Sequence, residues 1–315
     1  HKLAGATVKS SEWELKSTQL EIATQVKQVY HQLGYLYAKQ KLFLWQDSLY
    51  GGFLRAAELR LKTGETNRLE MITARSQGME VRNQLKQLNA DILIFNQKLG
   101  VLINSSASVL AADTMLSRIS FLPPTDSMIV ATNPTLEFMQ QQSEISKVET
   151  NLERSRMLPD LSIGYFSQTM QGEQEINGVP RTFGKGDRFS GIQAGISIPL
   201  WFAPYTAKIK AAKQKSQQAQ INAENYSKTL AGNYQSLIGE YSKYASNLDY
   251  YEKQAVPEAD LIIDQATKSY RAGAIDYLDY IQSLSRALTI KLNYLDALNN
   301  YNQTIISIDY ITGRL

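Results

Sequence analysis

The sequence predicts a mainly α-helical chain of long antiparallel hairpins, of the coiled-coil or α-barrel type, with one pair of β-strands inserted between them. Three observations support this fold class. The segment 54–76 recurs in altered form as 263–285. Apolar residues return every three or four positions over long stretches, which is the period of an amphipathic helix. Two shorter segments instead alternate apolar and polar side chains, which is the period of a β-strand.

The two copies of the repeated segment share the features of a helical hairpin turn. Gly64 aligns with Gly273, and the acidic Glu70 aligns with the acidic Asp279, each six positions after its glycine. Glycine tolerates the positive φ that a tight turn requires. Two equivalent hairpins with a strand pair between them indicate a tube-building protein rather than an enzyme.

The first hairpin is predicted over residues 1–105, as a partial repeat. Within its first helix, Gly51 and Gly52 predict a kink or a short break. Residues 106–133 are rich in Ser, Thr, Ala and Pro, which predicts a connector with little regular structure.

The second repeat is predicted over 134–315 and opens with a helix over 134–158. Asn133 is a favourable N-cap and Pro134 suits the first helical position. This helix is expected to stop before Pro159, because the residue that precedes a proline avoids the helical region.

Two β-strands are predicted at 161–170 and 189–198, joined by an exposed, polar and glycine-rich loop at 171–188. Each strand is long enough to cross a bilayer, since about 9–11 tilted residues suffice. The alternation alone fits an ordinary soluble hairpin with one face on a core equally well.

A second helical hairpin is predicted over 204–312, with an interruption near Pro257 and its turn at Gly273. Apolar and aromatic residues step by three or four from Tyr226 to Tyr251, and again from Ile281 to Ile308. These stripes are typical of coiled-coil seams.

Composition and motifs exclude several functions. The 315-residue chain has a net charge of +3, with Lys and Arg spread along the helices rather than in a basic stripe, so no nucleic-acid partner is expected. It has no cysteine. We find no catalytic constellation, no cofactor-binding motif and no metal-ligand spacing, and the chain is not expected to be an enzyme.

Several segments, in their order and spacing, resemble the TolC-type outer membrane efflux proteins, also called outer membrane factors. They are NPTLEF (133–138), RSRMLPDLSIGYFSQ (154–168), GIQAGISIPLWF (191–202) and SYRAGAIDYLDYIQS (269–283). The second half matches throughout, and residues 1–105 match the later part of the family's first repeat. The surroundings of the strands are most similar to the heavy-metal branch.

The resemblance implies a homotrimer in the outer membrane that extends into the periplasm. Three chains would share one β-barrel, in contact with outer-membrane lipid, and one α-helical barrel, with 106–133 as the equatorial connector. Such a trimer is the passive exit duct of a tripartite efflux system. A periplasmic adaptor protein links it to an inner-membrane pump of the RND type, and the branch implies heavy metals as substrates.

Family chains normally supply four barrel strands, whereas this sequence supplies two. Counting back by the repeat distance places His1 just after the point where strands of the first repeat should end. We therefore expect a fragment that lacks the first helix and the first strand pair.

The resemblance also implies site residues. Asp279 and Glu70, with Asp276 as a further candidate, match the acidic ring that closes the pore at the periplasmic tip, where crowded carboxylates repel anions and attract cations. The residues alone allow a simpler interpretation, in which these acids stabilise helix N-termini through the macrodipole. Gly64 and Gly273 match the tip turns that contact the adaptor.

Trp201 and Phe202 follow the second predicted strand, where an aromatic girdle at the membrane interface belongs. The alternative function is a soluble coiled-coil scaffold or a periplasmic adaptor, without a channel. A scaffold needs no such strands. An adaptor has one hairpin flanked by β segments, whereas here two hairpins flank one strand pair.

Overall fold

A computed structural model describes residues 1–105, 107, 109, 115–123 and 132–314. Within them the elements are α1 (Lys2–Lys62), α2 (Arg68–Leu102), α3 (Pro134–Ser155), β1 (Asp160–Thr169), β2 (Gly172–Ile176), β3 (Val179–Phe183), β4 (Arg188–Ser197), α4 (Ala203–Tyr250), α5 (Val256–Arg271) and α6 (Tyr277–Ile311). A π-helical turn over Tyr251–Ala255 joins α4 to α5. The predicted fold class, mainly α-helical with inserted β-strands, is confirmed.

The chain forms two compact units. The first consists of His1–Ser11 and Met139–Glu224 and contains the four strands. The second consists of Glu12–Phe138 and Asn225–Leu315 and contains both hairpin turns. Much of the predicted connector 106–133 lies outside the described residues.

The helices that follow the two hairpin turns are equivalent in length and in sequence position. α2 and α6 each have 35 residues. Both are followed by a residue with positive φ, Asn104 at 52° and Gly313 at 70°. At both ends a backbone hydrogen bond of 2.8–2.9 Å closes a Schellman-type cap. The sequence separation between Asn104 and Gly313 is therefore the same as that between the turn glycines Gly64 and Gly273.

The core of the second unit forms where the two hairpins pack together. Helix α6 supplies a buried stripe that includes Leu284, Leu288 and Leu298. Helices α1 and α2 face one another in the same core through residues such as Leu36 and Leu88. Each fully buried leucine contributes about 1.5–3 kcal/mol relative to an exposed one, so packing along the seam holds the hairpins together.

Helix α1 continues through Gly51 and Gly52, so the short break that was one of the two alternatives predicted there is wrong. The flanking Tyr50 and Phe53 are buried in the core, with ring centroids 6.2 Å apart. Burial of two aromatic side chains outweighs the helix-propensity cost of about 1 kcal/mol for each glycine.

A buried asparagine fixes the described part of the connector, 115–123. Asn302 is fully buried, and its side-chain oxygen accepts a hydrogen bond from the Ile119 N–H at 3.0 Å. Its amide nitrogen donates to the Ser117 carbonyl at 2.8 Å. One side chain of α6 thus satisfies two backbone groups of a segment that has no regular structure of its own.

Arg118 adds an ionic contact beside this asparagine. Its guanidinium donates to Asp249 at 2.9 Å and to Glu252 at 2.8 Å, and it lies 4.8 Å from the centroid of the Tyr301 ring. The connector is therefore attached to α4, to the π-helical turn and to α6 by polar groups.

Strands β1 and β4 pair antiparallel, one residue earlier than the predicted ranges. Their register places five large apolar side chains on one face, where all are more than two-thirds exposed: Leu161, Ile163, Tyr165, Ile192 and Ile196. Phe166 and Phe189 lie on the other face. The other face is mostly Ser, Gln and Gly. The pair thus presents an apolar face that nothing in its own unit covers.

The loop predicted over 171–188 is wrong for its central part, because β2 and β3 form a second antiparallel hairpin there. Its turn is Asn177-Gly178, with φ of 53° and 77°. Asn-Gly is the strongest short signal for a two-residue turn of type I′. That signal was present in the sequence and should have indicated the hairpin.

Helix α3 ends at Ser155, three residues before the predicted end at 158. The N–H groups of Met157 and Leu158 bond to carbonyls three residues earlier, at 3.2 and 3.0 Å. This tightened turn ends the helix ahead of Pro159, in the way that 3₁₀-type bonds often close a helix.

The π-helical turn lies immediately before Pro257, close to the interruption that this proline predicts. A proline inside a helix has no N–H to donate and its ring clashes with the carbonyl of the preceding turn. A wider turn at this point accommodates the ring while the chain remains helical.

Candidate functional site

The two hairpin turns have the same backbone structure. Gly64 and Gly273 have φ of 80° and 69°. In both turns three successive N–H groups bond back to the end of the preceding helix at 2.8–3.3 Å, and the third of these bonds spans five residues. This is a Schellman motif, which strongly favours glycine at the left-handed position. The turn role of the two glycines follows from their backbone geometry alone.

A prediction follows from this geometry. Ala in place of Gly273 should destabilise the hairpin by about 1 kcal/mol, because a Cβ disfavours the left-handed region. The matched control is Gly239→Ala, in the middle of α4, where a Cβ would meet nothing within 4 Å. That change should stabilise by about 0.5–1 kcal/mol. Denaturation midpoints of the two variants that shift in the same direction would contradict the assignment.

The helices after the turns begin with equivalent caps. The Asn67 side chain accepts hydrogen bonds from the N–H groups of Leu69 and Glu70 at 2.8 and 3.4 Å. The Asp276 side chain accepts from the N–H of Asp279 at 2.9 Å. Asp276 is thus an N-cap, a position that strongly prefers Asp and Asn. Its carboxylate is engaged by its own helix.

Glu70 and Asp279 occupy equivalent positions but different surroundings. Glu70 is partly buried, and its carboxylate lies 3.4 Å from the Arg60 guanidinium. Asp279 is exposed in the first turn of α6. In the described part of the chain, no hydrogen bond or ion pair joins Glu70 to either aspartate. Glu70 thus has an ion-pair partner at the start of α2, whereas Asp279, at the start of α6, forms no ion pair among the described residues.

An aromatic cluster behind the turns was not predicted. Tyr270 and Tyr280 stack with ring centroids 4.6 Å apart, and Phe53 lies edge-on to Tyr280 at 5.1 Å and to Tyr277 at 5.8 Å. These rings join α1, α5 and α6 directly behind the second turn. The signal was an excess of aromatic residues at helical spacing on both sides of Gly273.

Tyr277 is the most perturbed residue of this cluster. Burial, with smaller contributions from Tyr270, Tyr50 and Glu70, raises the pKa of its hydroxyl to about 12. Its hydroxyl is buried and has no hydrogen-bond partner among the described residues. Tyr277 is therefore neutral at physiological pH and acts in the cluster as a packing residue.

The predicted interface aromatics lie in the link between β4 and α4. Trp201 is 81% exposed and Phe202 is half exposed. Leu200, which precedes them, is also exposed. Three consecutive large apolar side chains in water are unfavourable, so this link suits an apolar or interfacial environment.

No group of three or more His, Cys, Asp or Glu residues in the described ranges is placed to hold a metal ion. None of the helices in these ranges has a stretch that is both long and apolar enough to cross a membrane.

Two equivalent helical hairpins, with antiparallel strands inserted between them, define a duplicated hairpin architecture. The family of outer membrane efflux proteins matches residues 127–314, more than half of the sequence. The chain belongs to this family, which places it at the outer membrane.

Individual relatives agree with this assignment. The cobalt-zinc-cadmium resistance protein CzcC of Cupriavidus metallidurans is 20% identical over 263 residues, which are 82% of this chain and 60% of the relative. The chain thus spans about three-fifths of the length of that protein.

Solved structures show the same fold. The outer-membrane channel OprN matches with a TM-score of 0.83 and 17% identity, over 99% of this chain and 70% of that one. The CmeC outer membrane channel of Campylobacter jejuni matches with a TM-score of 0.82 and 15% identity, over 99% and 66%. CusC matches with a TM-score of 0.80 and 16% identity, over 99% and 73%.

Proposed function

We propose that the chain forms part of the wall of an outer-membrane exit duct for efflux. It acts as a homotrimer, receives substrate from an inner-membrane pump of the RND type through a periplasmic adaptor, and conducts it passively. Residues 1–105 and 134–315 are the two repeats of this wall. The observation that carries the proposal is the equivalence of the two hairpins on either side of a strand pair with an uncovered apolar face.

The strand pair distinguishes this function from that of a soluble scaffold or an adaptor. Its five large apolar side chains share one exposed face, which suits lipid better than water. Deletion of 161–202 from the full-length protein should abolish its recovery in the outer membrane while the helical hairpins remain folded. A deletion variant that still fractionates with the outer membrane would favour the alternative.

The gate of this duct is formed at the hairpin turns by Asp279 and Glu70, with Asp276 as the cap that holds the start of α6. The Arg60 contact positions the Glu70 carboxylate, whereas Asp279 is free to face the pore axis. Three copies of each carboxylate in a narrow aperture repel one another and retain cations. Gly64 and Gly273, at the outermost points of the turns, contact the adaptor.

Neutralisation of both acids is expected to increase leak. Glu70→Ala combined with Asp279→Ala, in the full-length protein, should raise the conductance of the closed duct several-fold in planar bilayers, because the ring loses its bound cations and its fixed side-chain positions. The control is Glu58→Ala with Asp264→Ala. It makes the same charge change on the helices before the turns, where both acids form exposed ion pairs of little energetic value. Equal conductance of the two double variants would contradict the gate.

Heavy metals are the proposed substrates. Support comes from the similarity to a protein named for cobalt, zinc and cadmium resistance. Deletion of the gene in its native host should lower tolerance to these ions, and the full-length protein should restore it. Unchanged metal tolerance with lowered tolerance to organic compounds would assign the duct to a different pump.

A further inference from the structure

The turn of the β2–β3 hairpin is the only Asn-Gly pair in the sequence. Asn177 and Gly178 lie between the last paired residues of the two strands, Ile176 and Val179. Both are exposed, as are all residues of β2 and all of β3 except Phe183. The turn is therefore open to water.

An asparagine side chain can react with the backbone nitrogen of the residue that follows it. The nitrogen attacks the side-chain carbonyl carbon, a C–N bond forms, and the amide leaves as ammonia together with the proton of the backbone N–H. The resulting succinimide ring is opened by water at either of its two carbonyl groups, which gives aspartate or isoaspartate. The reaction consumes one water and releases one ammonia, so it requires no further reactant.

Two conditions favour this attack, and the Asn177-Gly178 turn meets both. The attacking nitrogen should be unhindered, and glycine permits the closest backbone approach because it has no side chain. A Cβ placed on Gly178 would meet nothing within 4 Å, so the surroundings do not crowd this nitrogen either. The second condition is a free N–H. The Gly178 N–H lies outside the paired residues of the hairpin and makes no backbone hydrogen bond within the described ranges.

Asn104 provides a comparison within the same chain. It is also exposed and left-handed, with φ of 52° against 53° for Asn177. Its successor, however, is Ser105, which carries a side chain. The Ser105 N–H also donates to the Gly100 carbonyl at 2.9 Å in the cap of α2. Asn104 thus shares the backbone conformation of Asn177 but meets neither condition.

The reaction also requires a change of backbone conformation at Asn177. In the left-handed turn the Gly178 nitrogen is not directed at the side-chain carbonyl carbon, so the turn must open first. Strands β2 and β3 have five residues each and form a two-stranded sheet of their own. A two-stranded hairpin without further cover is marginally stable in water. Local opening of this hairpin therefore gives Asn177 access to the reactive conformation.

We propose that Asn177 is a site of spontaneous deamidation, at which water converts the asparagine into aspartate and isoaspartate. Either product adds one negative charge at the tip of the hairpin, two residues from Glu175. Isoaspartate also adds one methylene group to the main chain, so the two-residue turn no longer matches the register of β2 and β3. The modification therefore changes both the charge and the pairing of this hairpin.

The position of the hairpin gives the modification a functional consequence. The helices join the strand pair at the Asp160–Ser197 end, whereas the hairpin continues from the opposite end, at Thr169 and Arg188. The two ends are about 30 Å apart along the strands. With the strands in the outer membrane, which rests on the proposed function, the hairpin lies at the outer mouth of the duct. Each chain then gains a negative charge at this mouth.

Peptide mapping by mass spectrometry tests the site on the full-length protein, kept folded in detergent at neutral and at mildly alkaline pH. Asn177 should convert more than about tenfold faster than Asn104, because only Asn177 precedes a glycine. The rate should rise with pH, since the attacking nitrogen must lose its proton. Appearance of both aspartate and isoaspartate at this position identifies the succinimide route.

Two variants provide the controls. Gly178→Asn should lower the rate about tenfold, because it places a side chain beside the attacking nitrogen while asparagine still tolerates the left-handed turn. Asn177→Gly removes the reacting amide and keeps the turn, since Gly-Gly also suits type I′. It should abolish the product and leave the hairpin paired.

Three results would overturn the proposal: no conversion of Asn177, equal rates at Asn177 and Asn104, or an unchanged rate in Gly178→Asn. Conductance of the same preparations in planar bilayers reports the proposed function separately. A protein that conducts but does not convert Asn177 removes the modification site alone. A protein that converts Asn177 but neither inserts nor conducts removes the duct and retains the modification site.

Discussion

Ile192→Arg is expected to prevent stable insertion of the β1–β4 strand pair, at a cost of about 2–4 kcal/mol per chain near the bilayer midplane. Ile192 lies in the middle of β4, opposite Tyr165, and its side chain is 81% exposed on the apolar face. A guanidinium group at this position must leave water for hydrocarbon. The measurement is the fraction of full-length protein recovered in the outer membrane, together with its unfolding midpoint in lipid.

The neighbouring residue provides the control. Gln193 lies opposite Gly164 on the other face of the same strand pair. Gln193→Arg introduces the same charge at almost the same depth, but on the face that we assign to the lumen. Its recovery in the membrane should be close to that of the unmodified protein. If both variants were lost to the same degree, the apolar face could not be the lipid-facing one.

Asn302→Ala is expected to destabilise the second unit by about 2–4 kcal/mol. The substitution removes two partly buried hydrogen bonds, from the Ile119 N–H and to the Ser117 carbonyl, each worth about 0.5–1.5 kcal/mol, and it leaves a cavity in place of a fully buried side chain, which adds to the loss. It also releases the connector from α6. Chemical denaturation of the full-length protein measures the loss, and protease sensitivity within 115–123 reports the release.

Asn300→Ala is the appropriate comparison, because Asn300 is exposed on the same helix two residues away. Exposed substitutions of this kind usually change stability by less than about 0.5 kcal/mol. A similar effect of the two substitutions would mean that the asparagine contacts do not hold the connector.

The helical hairpins could be predicted because their determinants are local. Gly64 and Gly273 mark the turns through backbone conformation, and the spacing from Ile281 to Ile308 defines the face of α6 that packs. Such periodicities survive in the sequence whatever else surrounds them. The interruption near Pro257 could be predicted because the effect of a proline on a helix is also local. Its form, a π-helical turn, could not be predicted.

Long-range polar contacts could not be predicted. Nothing in the sequence near Asn302 indicates that it pairs with residues more than 180 positions away. The short break expected as one alternative at Gly51 and Gly52 is absent for a related reason. Glycine weakens a helix locally, but the packing of Phe53 against Tyr280 is a tertiary effect that outweighs it.

The candidate gate was predictable in position but not in detail. The repeat identified Glu70 and Asp279 as equivalent residues. It could not show that Arg60 pairs with Glu70, since the equivalent position in the second hairpin is Ser269 and leaves Asp279 free. Glu70 therefore has a cationic neighbour and Asp279 has a neutral one, although the backbones of the two turns match.

The π-helical turn Tyr251–Ala255 has a consequence for how the two repeats compare. The corresponding stretch of α1, one repeat distance earlier, is uninterrupted α-helix. A π turn holds one residue more than an α turn and rotates everything beyond it by about 100°. Residues one repeat distance apart therefore occupy equivalent helix faces between the π-helical turn and the hairpin turn. On the N-terminal side of the π-helical turn, the same residue pairs differ in helical register by one residue. The duplicated halves can then present different faces to their neighbours while keeping identical turns.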